Sequence, residues 1–143
     1  MKLLIDIIGD NEVKCEVAQP FVEVEAEQFS FETERDNQLV QFNITLPVTF
    51  QHDGFGFENG AFRVYLDGNG YHENGKQWNG WLLANGGGWC FWPKLTTGAR
   101  VTCCYLMAVP KSGKHIIRTM FVGGDKKTSG VLRSRRHYQA LSV

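Results

Sequence analysis

The stretch Val40-Gln41-Phe42-Asn43-Ile44-Thr45-Leu46-Pro47-Val48-Thr49-Phe50 decides the fold. Every even position is apolar, and every odd position is polar or proline. Successive side chains on a strand point to opposite faces, so this period of two predicts one long strand, over 38–50, wet on one face and buried on the other. Pro47 has no N–H to give to a ladder, which predicts an edge position or a bulge there.

The same alternation recurs on both sides. Val13-Lys14-Cys15-Glu16-Val17 and Phe62-Arg63-Val64-Tyr65-Leu66 follow it. In 20–32, Val22, Val24 and Ala26 alternate with Glu23, Glu25 and Glu27, and then Phe29 and Phe31 are apolar at odd positions. That one-residue change of phase calls for a bulge or tight turn between 26 and 29. Val101–Val109 and Ile116–Val122 are apolar on both faces, which predicts central or covered strands. Strands are thus expected at 2–8, 12–17, 20–27, 38–50, 61–67, 100–109, 114–122 and 130–140. Gly/Asn/Asp turns punctuate them, for example Gly9-Asp10-Asn11 and Asp67-Gly68-Asn69-Gly70. Only 131–142 allows a helical period as well. The 143 residues amount to one domain. The prediction is a single all-β domain, an antiparallel β-sandwich or barrel with Gly/Trp-rich loops.

Ten Phe, four Trp and four Tyr, with sixteen Gly against four Pro, suit strands and turns. Nothing resembles a signal peptide, since the apolar run at Leu3–Ile8 is short and broken by Asp6. No stretch has the apolar length of a membrane span. The four cysteines fit no zinc spacing, and the adjacent Cys103 and Cys104 face opposite ways on a strand. Reduced thiols are expected, with Cys103 buried, in a cytoplasmic setting (host cytoplasm or virion if the source is viral). No metal and no cofactor is called for.

Charge divides the chain. Residues 1–73 carry four Lys/Arg against fourteen carboxylates, a net of −10, and residues 74–143 carry eleven Lys/Arg against Asp125 alone, a net of +10. Either acidic and basic strands neighbour each other and cancel, or the polarity serves contact with another molecule. The row Glu23, Glu25, Glu27 has the two-residue pitch of a strand. So do Arg133, Arg135 and His137, with Arg136 on the other face. The arginine end is therefore expected to meet the glutamate row, within one subunit or between subunits. Together with Lys126, Lys127, Lys111, Lys114 and Arg118 it could instead follow a phosphate backbone.

Trp78, Trp81, Trp89 and Trp92 fall within 78–92 around Gly86-Gly87-Gly88. Indole faces beside Asn amides stack on sugars or bases, anchor interfaces, or pack a core beneath a glycine loop. The glycines lack the Lys-Ser/Thr ending of a phosphate loop. His52, His72, His115 and His137 show no metal spacing, and nothing local marks a nucleophile with its base, so no enzyme is expected. The leading expectation is a structural assembly subunit that packs as a symmetric homo-oligomer or lattice or with other structural proteins, with a virion or phage particle as the setting. The alternatives are a module for single-stranded nucleic acid and then a carbohydrate-binding β-sandwich.

Overall fold

The computed structural model describes residues 1–54, 57–67, 80–91 and 97–143. Among them every regular element is a strand: β1 (Lys2–Gly9), β2 (Val13–Glu16), β3 (Val24–Thr33), β4 (Gln38–His52), β5 (Phe57–Leu66), β6 (Trp81–Phe91), β7 (Thr97–Val109), β8 (Gly113–Gly123), β9 (Thr128–Leu132) and β10 (Arg136–Ser142). All strand pairs are antiparallel. One sheet has the order β1-β10-β4-β9-β2, with β7 on the other side of β4; the second has the order β3-β8-β5-β6. The two pack face to face as a sandwich and do not close into a barrel.

Strand β4 is the spine. Its even residues from Val40 to Phe50 are buried, as the alternation predicts. One side pairs with β7 from Gln38↔Val109 to Phe50↔Thr97. The other side is shared: β10 pairs over 40–45 and β9 over 48–52. Pro47 lies at the seam between them. There a missing N–H breaks no ladder, and its carbonyl accepts from the Arg133 N–H at 2.8 Å. Across the sandwich, Phe62 packs on Phe50 with ring centroids 5.7 Å apart and Phe31 meets the ring of Phe42 edge-on, while within its own sheet Phe62 lies beside Phe121 at 5.1 Å. Full burial of side chains this size contributes about 1.5–3 kcal/mol each.

The change of phase in β3 has the predicted cause, one residue earlier than the predicted range: the β3–β8 register shifts between Glu25 and Glu27. Phe31 and Thr33 then point inward. Four sequence expectations are corrected. The strand placed at 20–27 begins at Val24, because Phe21 takes a left-handed φ of 62° and turns the chain. The strand placed at 130–140 is two strands, β9 and β10. Arg135 breaks it with a φ of 63°, and no helix forms there. The glycine-rich segment read as a loop contains an eleven-residue strand, β6, paired with β5. Gly86 explains how: a Cβ there would lie 2.6 Å from Val101 Cγ2, so only glycine lets β6 approach β7. Finally β7, expected to be central or covered, pairs with β4 alone among the described strands.

Candidate functional site

The acidic and basic halves of the chain meet within the subunit. Glu23, whose side chain is fully buried, accepts from Arg63 Nη1 at 2.5 Å and from the Tyr65 hydroxyl at 2.7 Å. Glu25 pairs with Arg118 at 3.0 Å. Glu27 is held by Arg136 Nε, with the Tyr138 hydroxyl at 3.2 Å. Thr119 Oγ1 lies 2.6 Å from that same hydroxyl. Arg133 reaches Glu12 at 3.2 Å, His137 meets Asp6, and Lys2 meets Glu34. The glutamate row therefore faces three strands, β5, β8 and β10. Of the expected contacts between that row and Arg133, Arg135 and Arg136, one forms, Glu27–Arg136. Arg133 and Arg135 flank a turn rather than sharing a strand face; the Arg135 backbone N–H donates to Gly9 O at 2.8 Å.

Burial governs the titration of these groups. It drives the Tyr138 and Tyr65 hydroxyls well above the usual phenol range, reinforced by Glu27 for the first and Glu23 for the second. Burial opposes the charge of Arg63, but Glu23 and Tyr65 outweigh it and raise the guanidinium. The thiols of Cys15 and Cys103 are each pushed up to about 11, by burial first and then by Glu27 and Cys104 respectively. Cys15, Cys103 and Cys104 are all free thiols, the first two buried and the third exposed.

The basic residues do not gather into one strip. Lys126 and Lys127 sit exposed on the β8–β9 turn, at the opposite end of β9 from Arg133. Arg118, Arg133 and Arg136 already hold carboxylates. Of the tryptophans, Trp78 and Trp92 lie outside the described residues, and for Trp89 only its backbone place in β6 is described. Trp81 opens β6 and is exposed, beside exposed Leu82.

Two buried histidine–carboxylate pairs escaped the sequence reading, as did His137–Asp6, because their partners are far apart in the chain. His52 Nε2 lies 2.8 Å from Asp125 Oδ2, and His115 Nδ1 lies 2.6 Å from Asp67 Oδ2. Both rings are buried, and the second His115 nitrogen is engaged by the Lys111 carbonyl at 2.7 Å. They fasten turns and offer no face to a substrate. Shallow clefts of about 180 and 210 Å³ lie elsewhere, at Phe21, Gly60, Arg63 and Gly123, and at Gln28, Ser30 and Lys114. Among the described residues no three His, Cys, Asp or Glu side chains converge as a metal site would require.

The remaining feature is the outer edge of β7. Tyr105 and Leu106 are 47% and 52% exposed, and Cys104 and Ala108 are exposed beside them. Arg100 is the one charged residue in its thirteen positions. An edge strand presents unpaired N–H and C=O groups, and proteins normally blunt such an edge with charges, proline, bulges or short length. The β4–β7 register is continuous from end to end, without a bulge.

No family model matches the chain, and no curated protein matches it. Similar solved structures include a chain in infectious bursal disease virus, Gx strain, at 10% identity and a TM-score of 0.48, over 97% of this chain and 32% of that one. A chain of the T13 particle of the same virus aligns at 14% identity and a TM-score of 0.47, over 96% and 30%. A CocE/NonD family hydrolase from Staphylococcus aureus aligns at 7% identity and 0.46, over 94% and 34%. The chain thus spans about a third of the length of each.

Proposed function

We propose that this domain is a structural assembly subunit that associates with copies of itself or with other structural proteins; a virion lattice is one such assembly. The observation that carries the reading is the β7 edge, which no other described strand pairs with: thirteen residues of nearly uncharged strand with Tyr105 and Leu106 open to solvent. A strand of this kind is a template for another strand. The opposed halves of the chain support a narrower role than their sequence suggests, because Arg118, Arg133 and Arg136 of the basic half already hold carboxylates of the acidic half within the subunit. Sedimentation across a range of protein concentrations tests the reading. Mass should rise with concentration, and Leu106→Lys should hold the protein as a monomer, while Leu3→Lys on β1 leaves association intact. Mass that stays monomeric throughout, or that responds to Leu3→Lys instead, contradicts it.

A further inference from the structure

Resting on that reading, we propose a specific partner and geometry: β7 pairs antiparallel with β7 of a second copy, about a two-fold axis that passes within one residue of Cys104. Two six-stranded sheets then join into one continuous sheet. The strand suits itself as a partner for three reasons. An antiparallel edge is self-complementary, so one row of free N–H and C=O groups satisfies an identical row turned by 180°. An axis normal to the sheet keeps inner faces together: Val101 and Cys103, buried against the second sheet, stay on the core side, and Thr102, Cys104 and Leu106 stay on the outer side. The charge also fits. Arg100 comes opposite uncharged positions around Leu106–Ala108, and the two Arg100 side chains stand about 25 Å apart along the strand, beyond the screening length at physiological salt.

The size of the contact sets its strength. Thirteen residues extend about 43 Å, and a strand edge about 10 Å deep covers about 400 Å² per copy. That is at the low end of specific interfaces, so the dimer is weak and reversible and becomes durable when further contacts in an assembly act with it.

Cys104 reports the geometry directly. With the axis this close, the two Cys104 Cβ atoms lie about 4.5–8 Å apart on one outer face. The full chain, at high micromolar concentration, is treated with a short bis-maleimide and run on a denaturing gel. The expected result is a covalent dimer that disappears on dilution, in Cys104→Ser and in Leu106→Lys. Cys104→Ser should keep the concentration-dependent mass of the wild type, since the sulfur reports the contact and does not make it. Association by mass without a Cys104-dependent covalent dimer overturns the two-fold pairing and leaves the assembly reading standing. A protein that is monomeric by mass at every concentration overturns both.

Discussion

The six-stranded sheet has two contrasting long margins. On the β1 side, charge is abundant and matched. Lys2 meets Glu34, Asp6 meets His137, and the β1–β10 register is broken by an irregularity between Leu3 and Ile5. Behind it Arg136 holds Glu27 across the sandwich. On the β7 side the register is unbroken, one charge stands in thirteen residues, and aromatic and aliphatic side chains face water. The first margin has the devices that keep a sheet edge solitary, and among the described residues the second has one, the charge of Arg100. The contrast shows that strong polarity of charge in a sequence need not mark the contact surface. Here the charges fasten the fold, and the contact surface proposed above is the place they leave bare.

The largest effect expected from disturbing this arrangement is at Arg136. Its side chain is buried with Glu27, and removing one partner of a buried pair strands the other. Arg136→Ala should cost about 3–5 kcal/mol in urea unfolding. Arg133→Ala removes a half-exposed pair with Glu12 and should cost about 0–1 kcal/mol. Equal costs for the two would mean that the β1 side is not anchored by its buried charge.

A smaller effect compares the two sides through their buried thiols, Cys15 on β2 and Cys103 on β7. Each has a folded-state pKa of about 11, above the roughly 8.5 of a free thiol. A group whose pKa is raised on folding contributes stability that is full below its unfolded pKa and is lost as pH rises through the folded one. Stability should therefore fall between about pH 8.5 and 11, and Cys15→Ala and Cys103→Ala should each flatten that slope. A slope unchanged in both variants would show that neither thiol is sequestered.

Much of the fold was legible in the chain. The strict alternation of 40–50 identified the central strand and its buried face, and the change of phase after Ala26 announced the irregularity in β3. What stayed hidden depended on tertiary contact. A Gly86-Gly87-Gly88 run reads as a loop until Val101 of β7 is seen pressed against Gly86. The turn at 133–135 carries no Gly or Asn to announce the left-handed Arg135. The apolar pattern of 101–109 reads as central, but local hydropathy does not encode strand order, and β7 pairs with β4 alone among the described strands. For the site, Glu23, Glu25 and Glu27 were legible as a row seeking cations. That their partners would come from β5, β8 and β10 depended on strand order, which no local pattern encodes.

Amide hydrogen exchange, followed strand by strand in dilute and in concentrated protein, tests most directly the claim that β7 is the open margin and β1 the closed one. Alternate residues of an edge strand point their N–H groups outward. Those of β7 should exchange quickly in dilute protein and slow markedly as concentration rises, with β1 unchanged throughout. Slowing confined to β1, or no dependence on concentration in either strand, would contradict it.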